Sequence, residues 1–241
     1  KNKVGMYKTI ASLIIWPIWI FYMLASLILL FFSLYLVPKK YFYFLLRIWC
    51  WCACLFAGQW LKKEGKAPMV DEGPYLYMFN HVSLFDQFMV AAFLGHYVTA
   101  VAALEQFKWP IWGSVGRKYG AIPIVRTKIN KAINALNKAE KEINKGISII
   151  IAPEGTRTTT GEIGDFKKGP FHLASNTGAT IIPIGLIGAF EAKKKTDWRL
   201  KPGVLITRFG KPIHKKEYEG LSINEMRDMV KRKIIELINK G

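Results

Sequence analysis

From Ile10 to Val37 the chain carries no charged side chain, and after Pro38-Lys39-Lys40 a second apolar run extends from Tyr41 to Leu61, broken only by Arg47. The first run exceeds the roughly 20 residues needed to cross a bilayer, and Trp16, Trp19, Tyr22 and Tyr35 supply aromatics suited to a membrane interface. It is too long for a signal peptide and lacks a small-residue cleavage site. Pro17 is tolerable near a helix start and would kink the helix elsewhere. Beyond a polar linker, Gly65 to Pro74, the pattern changes to short apolar runs alternating with helical periodicity. Tyr75–Phe79, Tyr97–Ala103, Ala121–Val125, Ile147–Ala152, Thr180–Leu186 and Val204–Phe209 read as strands. Leu84–Leu94, the stretch carrying Ile129, Ile133, Leu136 and Ile143, and Pro170–Asn176 read as helices, with Gly146 as a C-terminal stop. Ser222 to Asn239 closes the chain as a helix, its start marked by a capping box of Ser222 and Glu225. The pattern predicts an α/β fold with a mixed, partly parallel sheet flanked by helices. An apolar two-helix membrane-anchoring hairpin, residues 1–64, precedes the α/β part, residues 65–241.

Charge sharpens that picture. The 241 residues carry a formal net charge of +18, and 51% of them are hydrophobic. A basic protein built for nucleic acid is usually polar. Here the mean hydropathy is +0.15, which points to an anionic membrane surface as partner and away from nucleic acid. Lys1, Lys3 and Lys8 precede the first run, Lys39 and Lys40 divide the two, and Lys62, Lys63 and Lys66 follow the second. A spanning hairpin would send Lys39 and Lys40 to the far side, against the positive-inside tendency. A hairpin lying in one leaflet keeps every basic end at the headgroups, although the length of the first run also allows two spans. Cys50, Cys52 and Cys54 alternate within one apolar segment, a spacing poor for disulfides and without a nearby histidine to complete a metal site. They read as buried thiols in a reducing compartment.

The candidate chemistry centres on Asn80-His81-Val82-Ser83-Leu84-Phe85-Asp86, where a predicted strand gives way to a predicted helix. A histidine beside a carboxylate is the minimal kit for a general base. On one continuous helix, positions i and i+5 lie about 140° apart, so the two meet only if His81 lies in the loop, with Ser83 as N-cap and Asp86 in the first turn. Alternatively Asp86 only caps the helix, since Ser83-Leu84-Phe85-Asp86 also fits a capping box. A second constellation follows the most apolar strand. Glu154, Gly155, Thr156 and Arg157 offer backbone N–H groups, a hydroxyl and a guanidinium suited to a phosphate or carboxylate. Lys167 and Lys168 lie just beyond, and Arg126 ends another strand. Read singly, these cations are ordinary surface residues. His96, His172 and His214 read as structural or exposed. There is no dinucleotide fingerprint, P-loop or zinc spacing, so neither a cofactor nor a metal is expected.

Taken together, Asn80-His81-x4-Asp86, Gly120–Arg126, Glu154-Gly155-Thr156-Arg157 and Ile182-Pro183-Ile184 resemble the four ordered blocks of the glycerolipid acyltransferases, over about Pro74 to Pro212. The resemblance implies that His81 is the general base and Asp86 its orienting partner. It also implies that Arg126, Glu154, Gly155, Thr156 and Arg157 bind the acceptor's phosphate, and that the region of Pro183 contributes structure or donor contacts. The implied reaction moves an acyl chain from an acyl carrier protein or coenzyme A thioester to the 2-hydroxyl of a lysophosphatidate, at the cytoplasmic face of the inner membrane. Transfer to glycerol 3-phosphate or another lysophospholipid, or a non-enzymatic lipid-binding role, are the alternatives. Two departures stand out. Ala102-Ala103-Leu104-Glu105 lacks the basic residue that often precedes the glutamate of the second block, so its contact must come from elsewhere, with Lys108, Lys167 and Lys168 as candidates. Ala152 stands where an aromatic is common.

Overall fold

The computed structural model describes residues 2–68 and 73–240. Lys1, the side chain of Lys3 and the middle of the Gly65–Pro74 linker lie outside the described residues. The two apolar runs form α1, Asn2–Leu36, and α2, Lys39–Phe56, with Pro17 inside α1. The second run does not stay helical to Leu61. It turns at Gly58 and becomes strand β1, Gln59–Glu64, which pairs in parallel with β7, Gly203–Phe209. Hydropathy alone missed this because Trp60 and Leu61 extend the apolar run, whereas their alternating burial is that of a sheet edge. The sheet therefore begins within residues 1–64.

The other strands are β2 Tyr75–Phe79, β3 Val98–Ala103, β4 Ile122–Ile124, β5 Ser148–Ile151 and β6 Thr180–Ile187, each within the stretch its apolar run predicts or one residue beyond it. They assemble into a seven-stranded sheet in the order β1-β7-β6-β2-β5-β3-β4. The strands from β6 to β4 run parallel to one another, while β7 is antiparallel to β6. The expected mixed, mostly parallel α/β fold is what the chain adopts. The C-terminal ends of β2, β4, β5 and β6 consequently point the same way, and open sheets of this kind place ligands there.

Each face of the sheet is covered. Tyr75, Tyr77 and Phe79 of β2 face a core shared with α1, α2 and α3, Asp86–Ala91. Leu76 and Met78 face the opposite core, built with α5 Ile129–Asn144, α6 Gly169–Thr177 and α8 Ile223–Asn239. That alternation explains why β2 is apolar throughout, as a strand buried on both faces must be. Two short helices, α4 Trp112–Tyr119 and α7 Ala189–Ala192, complete the flanks. The predicted Ser222–Glu225 capping box forms, with Ser222 N–H donating to Glu225 at 2.8 Å and Glu225 N–H to Ser222 Oγ at 3.3 Å.

The hairpin lies along the domain. Trp16 Nε1–H donates to the Trp198 carbonyl at 2.9 Å, Trp19 Nε1–H to Ala53 at 2.8 Å, and Tyr22 O–H to Trp49 at 3.0 Å. Towards the far end of α1, Lys118 Nζ sits 3.8 Å above the Tyr35 ring. A helix of this length extends roughly 50 Å, and α1 is tied down from Ser12 to Tyr35. Its other side is bare. Leu13, Phe21, Leu24, Leu29, Phe32 and Leu36 are all more than half exposed. α2 instead buries Phe42, Trp49, Cys50, Ala53 and Cys54, and its three cysteines are free thiols.

β1 is seated by Gly65, whose φ is +75° and whose added Cβ would stand 2.3 Å from the Phe209 carbonyl oxygen. Gly146, with φ +83°, has nothing within 4 Å of that position. Gly146→Ala should cost only the left-handed backbone penalty, about 1–2 kcal/mol. Gly65→Ala should cost roughly 1–3 kcal/mol more, through overpacking. Denaturant unfolding of the two variants compares them directly, and equal losses would show that β1 does not pack against β7 as described.

Candidate active site

The chain leaves β2 at Phe79 and reverses through Asn80 to Phe85 before α3 begins at Asp86. Asn80 locks the exit. Its side-chain N–H donates to the Leu186 carbonyl at 3.0 Å, and its amide oxygen accepts from Leu186 N–H at 2.7 Å. Phe85 rather than Ser83 occupies the N-cap position, and α3 is shorter than Leu84–Leu94 predicted. The reason is a tertiary contact. Ser83 Oγ–H is drawn away to the Lys193 carbonyl at 3.0 Å, so it does not cap.

Asp86 turns back over this loop. Its Oδ2 accepts from His81 Nδ1–H at 2.7 Å, Val82 N–H at 2.8 Å and Ser83 N–H at 2.9 Å, and its Oδ1 accepts from Ser83 N–H at 3.0 Å. The carboxylate is only 1% exposed, and this many donors make its burial affordable. Because Asp86 is acceptor-only, the geometry assigns the proton to Nδ1 and leaves the lone pair on Nε2. The imidazole is 27% exposed. A half-open ring with its basic nitrogen free is the form that can take a proton from a bound hydroxyl. Both roles in the sequence reading thus coexist, since Asp86 holds the histidine and also the turn that leads into the helix.

Glu154, at the end of β5, clamps the same loop from the neighbouring strand. Its Oε1 accepts from His81 N–H at 2.6 Å and its Oε2 from Gly164 N–H at 2.8 Å, while Thr158 N–H donates to the His81 carbonyl at 2.9 Å. Glu154 is therefore buried, with both carboxylate oxygens engaged by backbone N–H groups. Burial pushes its carboxyl up from the usual glutamate range; the two amide donors and His81 offset this in part, and the Asp86 charge adds to it. Gly155 has φ +72°, and its carbonyl accepts from Arg126 Nη1–H at 2.9 Å. Arg126 also approaches Glu105 at 3.5 Å. Thr156 is exposed and Arg157 half-buried, and Arg157 makes no ion pair among the described residues. Lys167 packs beside Gly155 and donates its N–H to the Pro153 carbonyl at 2.8 Å. His81, Arg126, Thr156, Arg157 and Lys167 are thus gathered beyond the C-terminal ends of the parallel strands.

Two cations on the stretch after α7 escaped the sequence reading. Lys195 Nζ–H donates to Thr156 Oγ1 at 3.4 Å. Lys193 lies near enough to Arg157 that its ammonium is pushed below the usual lysine range, by burial first and by the Arg157 charge second. Neither belongs to a recognisable motif, and only the fold carries them across. No contact ties Lys108 to this site among the described residues, whereas Lys167 is in it. A cleft of about 430 Å³ adjoins the site, lined by Asn80, Val82, Ile163, Leu186, Phe190 and Ile235 among others. It reaches both chain neighbours of His81 but not the ring itself. Elsewhere His96 is buried, within 3.3 Å of the Tyr77 hydroxyl and 3.2 Å of Ser148 Oγ, while His172 and His214 are exposed.

Comparison with known proteins places this arrangement. The family model described as Acyltransferase matches residues 61–187. A 1-acyl-sn-glycerol-3-phosphate acyltransferase of Cocos nucifera is 31% identical over 156 residues, which is 64% of this chain and 51% of that protein. The chloroplastic 1-acyl-sn-glycerol-3-phosphate acyltransferase LPAT1 of Arabidopsis thaliana is 28% identical over 195 residues, 80% of this chain and 54% of its own length. The 1-acyl-sn-glycerol-3-phosphate acyltransferase of Pseudomonas aeruginosa is 28% identical over 176 residues, 71% of this chain and 67% of that one. The chain spans about half the length of the two plant relatives. The crystal structure of the 1-acyl-sn-glycerophosphate acyltransferase PlsC from Thermotoga maritima superposes with a TM-score of 0.81 at 22% identity, covering 95% of this chain and 94% of that one. The two share a fold from end to end.

The Glu154 clamp has a measurable pH signature. Its carboxyl is raised in the folded state above 4.5, so folding takes up a proton there. The group's contribution to stability is fully present below about pH 4.5 and is lost as the pH rises through its folded pKa. Glu154→Gln cannot titrate. The difference in unfolding free energy between wild type and Glu154→Gln should fall across that window and then level off. A difference that is flat with pH would mean that the two amide donors cancel the effect of burial, and one that rises would mean that they outweigh it.

Proposed function

The chain belongs to the acyltransferase family, and from that premise we propose that it acylates the 2-hydroxyl of a 1-acyl-glycerol 3-phosphate, using an acyl thioester as donor and giving phosphatidic acid. The observation that carries this reading is the 2.7 Å contact between His81 Nδ1 and Asp86, which leaves Nε2 as the free base on a loop tied by Glu154 and Thr158 to the segment that carries Arg157. In the proposed reaction His81 Nε2 takes the proton of the acceptor's hydroxyl as its oxygen attacks the thioester carbonyl. The C–S bond breaks as the new C–O bond is completed, and the departing thiolate recovers the proton from the imidazolium. Asp86 stabilises that imidazolium while it exists. No covalent acyl-enzyme is required.

Arg157, Arg126, Thr156 and Lys167 supply the charge and donors for the acceptor's phosphate, and Gly155 lets the backbone turn beneath it. Holding the phosphate converts a bimolecular encounter into attack within a preassembled pair. Glu154, which the sequence reading grouped with the ligands, acts as a positioning residue through the His81 N–H. The names of the relatives support the choice of lysophosphatidate as acceptor. Carrier-protein and coenzyme A thioesters both present the same reacting bond.

The hairpin seats the enzyme. α1 is fastened to the domain along much of its length and bare on the outside, which suits a helix lying in the headgroup layer of one leaflet. In that orientation Lys39 and Lys40 stay with the other lysines, on the cytoplasmic side of the membrane.

His81→Ala should lower turnover of a labelled acyl thioester with lysophosphatidate by about 10²–10⁴-fold, while membrane partitioning stays at the wild-type level. Asp86→Asn should fall in the same range, because an amide cannot accept from all three donors at once. The assay uses lysophosphatidate, glycerol 3-phosphate and lysophosphatidylcholine in parallel, with both donors. Wild-type activity in His81→Ala, or preference for glycerol 3-phosphate or lysophosphatidylcholine over lysophosphatidate, would overturn the assignment.

A further inference from the structure

The stretch between α7 and β7 is unusual in both charge and position. Residues 193–201 carry Lys193, Lys194, Lys195, Arg199 and Lys201 against a single carboxylate, Asp197. That carboxylate is already taken. Arg199 Nε–H and Nη2–H donate to its two oxygens at 3.0 and 2.9 Å. Lys193, Lys194, Lys195 and Lys201 form no ion pair among the described residues. Lys193 Nζ–H groups turn to the carbonyls of Lys194 and Asp197, at 2.7 and 2.6 Å. Lys194, Lys195 and Lys201 are exposed. Between them stands Trp198, with 52% of its surface open to solvent.

The loop is held on two sides. On one side it is fastened to α1, where Trp16 Nε1–H donates to the Trp198 carbonyl at 2.9 Å and Leu200 N–H to Ser12 Oγ at 2.7 Å. The free face of α1 beside those contacts is Ile10, Leu13 and Ile14, each about half exposed or more. On the other side the loop meets both constellations of the site. Ser83 Oγ–H donates to the Lys193 carbonyl at 3.0 Å, and Lys195 Nζ–H to Thr156 Oγ1 at 3.4 Å. Lys194 Nζ rests 4.9 Å above the Phe190 ring, a contact that leaves its charge unneutralised. An exposed indole flanked by ammonium groups that no carboxylate among the described residues neutralises is the combination suited to a headgroup layer. The ring takes the boundary between chains and water, and the cations meet phosphates.

We propose that residues 193–201 form a second membrane contact, separate from the helical hairpin, in which Trp198 enters the interface and Lys194, Lys195 and Lys201 select lipids with anionic headgroups. This contact rests on the membrane seating proposed above. It would enrich anionic lipid beside Thr156 and Arg157, which is where an anionic acceptor is needed.

The test uses the intact protein reconstituted in vesicles of one phosphatidylcholine–phosphatidylglycerol mixture. The acyl chains of either only the phosphatidylcholine or only the phosphatidylglycerol are brominated. Subtracting the emission of Trp198→Phe from that of wild type isolates Trp198. The expected result is stronger quenching of that component, per mole of brominated lipid, by phosphatidylglycerol than by phosphatidylcholine. The preference should vanish in the triple variant K194Q/K195Q/K201Q. It should also shrink in the unmutated protein at about 1 M salt, where screening acts over roughly 3 Å. Equal quenching by the two lipids would overturn headgroup selection. An unquenched Trp198 with the remaining tryptophans quenched would overturn the contact while leaving the hairpin seated. Quenching of no tryptophan by either lipid would overturn the membrane seating, and this contact with it.

Discussion

A buried carboxylate shared among an imidazole and two backbone amides is the interaction on which the rest of this structure depends. Asp86 is almost wholly sealed from solvent, and an ion in that position is tolerable only when its oxygens are fully occupied. The donors that occupy them are His81 Nδ1–H and the N–H groups of Val82 and Ser83. One residue therefore fixes the histidine's tautomer, its orientation and the path of the loop. The same requirement works in reverse. The loop cannot relax without leaving a charge unsatisfied, so the ring is held without contact from a ligand.

The parallel sheet makes this local device useful. β2 and β5 are neighbours running the same way, so the loop after β2 and the loop after β5 emerge side by side. Glu154 joins them through the His81 N–H, and Arg126 joins the end of β4 to them through the Gly155 carbonyl. The cations Arg157, Lys167, Lys193 and Lys195 then collect around a site whose own carboxylates are turned inward. Asp86 and Glu154 are both buried and engaged with backbone N–H groups. The surface left to a ligand is correspondingly positive.

The hairpin and the α/β domain form one object. α1 contacts the loop at Trp198–Leu200, α2 contacts α1 through tryptophan and tyrosine hydrogen bonds, and Gly58 passes the chain straight into β1 of the sheet. The apolar surface of α1 and the site are therefore held in a set relation. Under the proposed function, that relation would set the depth at which a lipid acceptor is met.

Much of this was legible in the residues themselves. The apolar runs of β2 and β5 are short and uninterrupted because both of their faces are covered, and that pattern reads directly from the chain. The Ser222–Glu225 cap is equally local, and His81 and Asp86 lie close enough in sequence for a turn to join them. The sequence also determined the composition of the polar and cationic cluster around Glu154–Arg157, through residue types rather than positions in space. Tertiary structure alone decided the rest. β1 was hidden because an edge strand at the end of an apolar helix has no signature in hydropathy, and only pairing with β7 defines it. Ser83 was expected to cap α3, but a carbonyl more than a hundred residues away, that of Lys193, claims its hydroxyl. The motif places Glu154 beside the site, but only the fold shows that its carboxylate joins the loop after β2 to the loop after β5 through the His81 N–H. Lys193 and Lys195 belong to no motif at all, since charge at a site depends on distance through space and the chain records only order.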